Sequence, residues 1–221
     1  MSYGMRAVPG AIDRVQFDGE DIVVAALGGE PEVGICGSGF IDAAAALLGA
    51  GVIEPSGRLR PRAELAGLPP ALRERVVEMD GGRAVRLGGS AARPVFLTAA
   101  DVRELQLVKG SIAAAVRLLL ERSGTGEDEV EAVMVAGAFG GTIREASARA
   151  LGLLPLPPTC PAEFVGNAAG AGARLALVDE SARGRAERLA ASATVVELAT
   201  DAAYHATFVD SLAFPAPGDV A

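Results

Sequence analysis

The stretch Glu131-Ala-Val-Met-Val-Ala-Gly-Ala-Phe-Gly-Gly141 reads as a short apolar strand, Val133 to Ala136, running into a glycine-rich turn. Helical spacing from Ile143 to Leu151 follows it. A short apolar run bounded by glycine and followed by a helix is the pattern of a buried strand in a helix-covered sheet. Glycine at the strand end removes the Cβ and lets a ligand reach the backbone. Ligands of open α/β sheets settle at the carboxyl ends of strands. On this stretch alone, the simpler reading is that Gly137, Gly140 and Gly141 only make a tight turn.

Bulk properties narrow the class. A chain of 221 residues, half of them apolar, can bury one good core as a single domain or two small lobes. No run of about 18 uncharged apolar residues occurs, so no membrane span is expected. The segment Met1-Ser-Tyr-Gly-Met-Arg6 lacks a charged-then-apolar leader, which points to the cytoplasm. A net charge of −8 disfavours nucleic acid, whose phosphates call for clustered Lys and Arg. Any bound nucleotide must then be held by local dipoles and a metal ion. Cys36 and Cys160 are far apart in sequence and His205 is the single histidine, so neither a zinc site nor an iron–sulfur cluster is expected from this chain alone. A Ser-His-Asp triad could use only His205, which sits in a helical Tyr-His-Ala-Thr-Phe segment and reads as surface or core-edge packing.

Outward from the central stretch, Ala11 to Phe17 and Ile22 to Leu27 form a hairpin pattern about Asp18-Gly19-Glu20-Asp21. Gly34-Ile-Cys-Gly-Ser-Gly-Phe-Ile-Asp42 is a second glycine turn leading into a helix that stops near Gly49 and Gly51. Its Gly-Ser-Gly resembles a phosphate cradle, since N–H groups at a helix start attract anions. It matches neither a Walker motif nor a full Gly-x-Gly-x-x-Gly. Ser38 reads as a helix cap or, failing that, a ligand contact. Glu54 to Pro70 is expected to be a surface connection. Val76 to Met79 and Ala84 to Leu87 make a second hairpin, followed by a strand at Val95 to Leu97.

Thr98-Ala-Ala-Asp101 is a capping-box start for the longest helix, Ala99 to Arg122. Val102, Leu105, Val108, Ile112, Val116, Leu119 and Leu120 share a face at helical spacing and are expected to be its buried stripe. Lys109 falls inside that stripe. It must either extend its amine to water or meet an anion. Glu163 to Ala173 repeats the theme of strand, glycine turn and small-residue helix, with Asn167 suited to an N-cap. Its Gly and Ala residues are expected to allow close helix packing. Ser181 to Ala191 and Asp201 to Leu212 read as helices, Thr194 to Leu198 as a strand, and Phe214 to Ala221 as a disordered tail.

Five motifs in register carry more than any one of them. They are Gly4-Met-Arg-Ala-Val-Pro-Gly-Ala-Ile12, Gly34 to Asp42, Leu97 to Lys109, Val135-Ala-Gly-Ala-Phe-Gly140 and Val165-Gly-Asn-Ala-Ala-Gly-Ala-Gly-Ala173. Together they resemble the C-terminal domain of the reductive activators of corrinoid proteins. Those proteins are similar to fusions of a two-iron two-sulfur ferredoxin domain to an ATPase of the acetate and sugar kinase, heat-shock chaperone and actin superfamily. The resemblance implies an α/β fold, one half of an actin-like (ribonuclease H-like) ATPase, with a mixed central sheet flanked by helices over residues 1–213. It implies ATP-dependent reduction of a partner corrinoid protein from the cob(II) to the cob(I) state. By position, Val135 to Gly140 matches the adenosine motif and Gly166 to Ala173 the second connecting helix. Gly137, Ala138 and Phe139 are the expected adenine contacts, Lys109 is expected near the ribose or phosphates, and Gly140, Gly37, Ser38, Gly39, Gly166 and Asn167 are further cofactor contacts. No catalytic residue is assigned.

The departures are equally specific. The family's phosphate-gripping Asp-x-Gly-Thr hairpins and its cysteine-rich domain have no counterpart in the sequence. The expectation is therefore a C-terminal piece holding the adenine side of an ATP site, inactive by itself, with Mg and the iron–sulfur cluster belonging to the whole protein. Two rivals stand beside it. One is a protein-docking module without an intact nucleotide site. The other is a small-molecule phosphotransferase, for which Asp42 is the candidate base, or else an early-helix carboxylate complementing the dipole.

Overall fold

The computed structural model describes residues 1–137 and 143–216. β1 (Ala11–Phe17) and β2 (Ile22–Ala26) pair antiparallel around the Asp18–Asp21 turn, where the Asp18 carboxylate accepts from the Glu20 and Asp21 N–H groups, both at 2.9 Å. β3 (Gly34–Ile35) joins β1 in parallel and makes this three-stranded sheet mixed. α1 (Gly37–Gly49) leaves the end of β3 and lies back across β1. Its small residues allow the close approach: Ala43 and Ala44 are fully buried, and a Cβ on Gly39 would be driven into the Ile12 carbonyl.

The stretch from Glu54 to Pro70 is more than a surface connection. Leu59 and Leu65 from it are buried in the core, and a short helix, α2 (Pro70–Glu74), follows and buries Leu72. β4 (Val76–Met79), β5 (Gly82–Gly89) and β6 (Pro94–Thr98) form an antiparallel sheet. Arg75 ties the two sheets together: its guanidinium donates to both Asp21 oxygens at 2.6 and 2.7 Å and to the Leu87 carbonyl at 3.0 Å.

α3 (Ala99–Ser123) begins with the expected capping box. The Asp101 N–H donates to Thr98 Oγ1, and the Thr98 N–H donates to Asp101 Oδ2, each at 3.1 Å. Gly124 closes the helix at φ +67°. The buried face differs from the expected stripe. Val102, Leu105, Lys109, Gly110, Ala113, Ala114 and Leu118 are buried, whereas Val108, Ile112 and Leu119 are exposed. The cause is the neighbour that covers the helix. The C-terminal chain crosses at Gly110, where a Cβ would lie 3.0 Å from Leu212 Cδ2, so small residues rather than large ones make the contact.

β7 (Val133–Ala136) falls where the sequence places it, and the following helix, α4 (Glu145–Ala150), starts two residues later than expected. β8 (Ala162–Gly166) pairs with β7 in parallel. α5 (Ala168–Val178), α6 (Glu180–Ser192) and α7 (Ala202–Asp210) complete the order. Three expectations change here. β7 is not buried: Met134 is 69% exposed, because β7 and β8 form a separate two-stranded sheet and the strands fall into three sheets instead of one. α5 packs chiefly against α6 and buries no residue, and a Cβ on Gly170 or Gly172 would meet no other helix among the described residues. Residues 194–197 form no strand and have no ladder partner among the described residues, and Leu198–Thr200 turns as a single 3₁₀ step.

The core gathers α1, the first two sheets and one side of α3, and it reaches Phe214. That residue, expected at the start of a disordered tail, is 3% exposed, and its N–H donates to the Pro55 carbonyl at 2.8 Å. Residues 217–221 of that tail lie outside the described residues. No helix among the described residues is long and apolar enough to cross a membrane.

Candidate functional site

Two glycines meet at the carboxyl ends of the parallel strands. Gly137, at φ +111°, donates its N–H to the carbonyl of Gly166, at φ +62°, over 2.8 Å. Both backbone conformations favour glycine. At neither position would a Cβ meet an atom of the described residues within 4 Å. Asn167 comes next and caps α5, its carboxamide oxygen accepting from the Gly170 N–H at 2.9 Å. Gly137, Gly166 and Asn167 thus form one edge where backbone groups can approach a ligand without side-chain obstruction. Ala138, Phe139 and Gly140 lie outside the described residues.

Beside this edge is an apolar cavity of about 440 Å³. Val135 of β7 and Phe164 of β8, partners in register, line it from one side. Gly37 and Phe40 of α1, Val108 and Ile112 of α3, and Ile143 line it from the others. Two of the large α3 residues missing from the core therefore serve as cavity wall.

The Gly-Ser-Gly turn separates into three different roles. Gly37 faces the cavity. Ser38 is buried inside the first turn, 3.3 Å from Cys36 Sγ, and it is Cys36, not Ser38, that occupies the N-cap position. Gly39 is fixed by its packing on β1, a reason that needs no ligand.

Asp42 is 2% exposed and fully engaged. It accepts from Arg144 Nε at 3.0 Å and from Ser147 Oγ at 2.7 Å, while Arg144 also donates to the Val15 carbonyl at 2.9 Å. That carboxylate joins α1 to α4. It is neither open to a substrate proton nor placed in the first turn of its helix. Arg144, at the N-cap of α4, thereby ties the start of that helix to α1.

Lys109 lies elsewhere. It is 5% exposed, donates to the Ala213 carbonyl at 2.5 Å, and lines a second cavity that includes none of Gly37, Gly137 and Gly166. Burial lowers its amine to about 8, and the like charge of Arg117 adds to the shift. His205 is an exposed residue of α7. No group of three or more His, Cys, Asp and Glu residues placed to hold a metal ion occurs among the described residues. Arg144, Ser147 and Arg149 were not singled out in the sequence. Asp42, the partner of Arg144 and Ser147, lies more than 100 residues away, whereas Arg149 pairs with Glu145 one helical turn back, a spacing that is legible in the sequence.

The family resemblance carried by the five motifs agrees with the comparisons to known proteins. Residues 1–219 match the C-terminal domain of RACo, described as its ASKHA domain. The chain belongs to that family. It is 32% identical over 218 residues to the corrinoid activation enzyme RamQ of Eubacterium limosum, covering 97% of this chain and 37% of that protein. It is also similar to the solved structure of a reductive activator for a corrinoid, iron–sulfur protein. That match has a TM-score of 0.82 and 30% identity, and it covers 97% of this chain and 34% of the other. The chain thus spans about a third of the length of each relative. The mixed α/β architecture is that of the ASKHA, actin-like ATPase class, and membership in it suggests the use of ATP.

Proposed function

We propose that this chain is the nucleotide-binding lobe of an ATP-dependent reductive activator that returns a partner corrinoid protein from the cob(II) to the cob(I) state. The observation that carries the reading is the Gly137–Gly166 pair, with its open backbone at the carboxyl ends of parallel strands. In this reading Gly137, Ala138 and Phe139 lie against the adenine, and Gly166 and Asn167 close the same edge. The cavity wall at Gly37, Val135 and Phe164 supplies an apolar surface next to it, as nucleobase sites require. Bound ATP, with Mg on its phosphates, supplies the free energy for an uphill electron transfer. The electron source is a two-iron two-sulfur cluster belonging to the whole activator, and the partner is a corrinoid protein.

Calorimetric titration with adenosine, ADP and Mg-ATP tests this. The expected outcome is weak adenosine binding with little gain from the phosphates, abolished by Gly137→Val. Unchanged affinity in Gly137→Val would sink the assignment. A second reading, a docking surface for the corrinoid protein without a nucleotide, is favoured by the exposure of Phe164, Leu177 and Val178. Absence of any nucleotide binding, together with retained binding to a corrinoid protein, would put that reading first.

A further inference from the structure

Lys and Arg together number 20 in this chain, and only position 109 is lysine. That single amine is also among its most buried charges. It projects from α3 into a cavity of about 450 Å³ that α3 forms with the Gly152–Pro158 segment and the Ser211–Pro215 segment. An ammonium has three N–H donors. Among the described residues Lys109 has one acceptor, the Ala213 carbonyl. Gly152 sits directly over it at φ +71°, with a hypothetical Cβ 3.4 Å from Nζ.

The surrounding charges accentuate the imbalance. Arg117, two turns further along α3, lines the same cavity and gives one N–H to Ser211 Oγ at 3.0 Å. Arg149 contributes a third cation, but its donors are spent on Glu145, Leu156, Pro157 and Cys160, so it is a fixed wall. Glu127 and Asp210 also border the cavity, and among the described residues no ion pair joins either of them to Lys109 or Arg117. Two cations of α3 therefore converge on one space without a carboxylate between them among the described residues. An oxyanion in this space offsets the burial cost of the Lys109 ammonium and offers the exposed Arg117 guanidinium a charged acceptor. The opposite walls, Leu154 to Pro158 and Phe214, are apolar and suit a hydrocarbon body.

We propose that the cavity between α3, Leu154–Pro158 and Ser211–Pro215 binds a small organic oxyanion, its phosphate or carboxylate head held by Lys109 and Arg117. The site is separate from the glycine edge and does not depend on the nucleotide reading. Its ligand fixes the C-terminal segment to α3, because Ala213 and Ser211 already bond to the same two cations.

The single lysine makes the test direct. Labelling the chain with lysine carrying ¹³C at Cε yields one side-chain resonance, that of Lys109. It is titrated with inorganic phosphate, butyrate and ATP. The site predicts a saturable shift with at least one of them, accompanied by a rise of the amine's pKa toward the ordinary lysine value. Phosphate alone sufficing would show that the head group is enough. Tighter butyrate binding would assign the apolar wall to the ligand's body. A response to ATP but not to adenosine would name nucleotide phosphates as the source. Arg117→Gln, an exposed change that leaves the core intact, is expected to weaken binding about tenfold, the loss of one charge-assisted hydrogen bond. No saturable shift with any of the three anions overturns the site, as does a shift untouched by Arg117→Gln. Because Gly137 lies outside this cavity, Gly137→Val should leave the titration unchanged, which separates this test from that of the nucleotide edge.

Discussion

Lys109 shows how one residue's surroundings reach the stability of the molecule. Its amine titrates near 8 in the folded chain because burial disfavours the charged form and Arg117 repels it. In the unfolded chain the ordinary value is about 10.4. Between those values the folded chain binds fewer protons than the unfolded one, so stability must rise with pH over that window. Below about 8 both states are charged and the folded state carries the full cost of the buried ammonium. Thermal melting in the absence of added anions should therefore show Tm climbing between pH 8 and 10, relative to a Lys109→Met variant. Parallel profiles for the two proteins would remove the assignment. Gly39 makes a related point with opposite chemistry. The hydrogen that replaces a side chain there is dictated by the Ile12 carbonyl beneath it, so the most suggestive glycine of the phosphate-like turn owes its identity to packing.

At the scale of elements, Asp42 is the link between α1 and α4. Replacing it with Ala leaves Arg144 and Ser147 without their acceptor. The expected cost is about 2 kcal/mol, less than for a fully buried pair because Arg144 remains partly solvated. A drop in the urea midpoint with an unchanged m-value would register this loss, and a change within about 0.5 kcal/mol would mean that the link contributes nothing. The same elements show what was legible in advance. Both hairpins, the capping box of α3 and the strand at Val133 could be read locally, since turn residues and periodicity act over a few positions. The burial of α3 could not. Hydropathy ranks Val108 and Ile112 above Gly110 and Ala113, whereas the helix is covered from the side where a neighbour can come close. The same holds for Asp42. Its chemical type suggested a base or a dipole partner, and only tertiary contact with Arg144, 102 residues away, fixes its role. Among the candidate site residues, Gly137, Gly166 and Asn167 are brought to one edge, while Lys109 belongs to a different cavity.

Across the whole molecule, packing is uneven. The buried cluster lies in the first two sheets, α1, α3 and Phe214, whereas β7, β8, α5 and α6 contribute no residue to it. Local opening is cheapest where few apolar contacts are lost. Hydrogen exchange should accordingly be faster at Val133–Ala136, Ala162–Gly166 and along α5 and α6 than in β1 and α1. Equal protection in both regions would mean that the peripheral elements are stabilised by contacts beyond those described. The parallel pairing of β7 with β8 also bears on the order of events in time. β1–β2 and β4–β5 can zip from their own turns, because their partners are adjacent in the chain. β7 and β8 cannot. They must wait for α4 and the proline-rich crossover to close a long loop before the first bond between them is worth its entropy. Gly137 meets Gly166 only after that closure. The candidate ligand edge is thus a product of loop closure, assembled after the two hairpins, whose own turns bring their strands together.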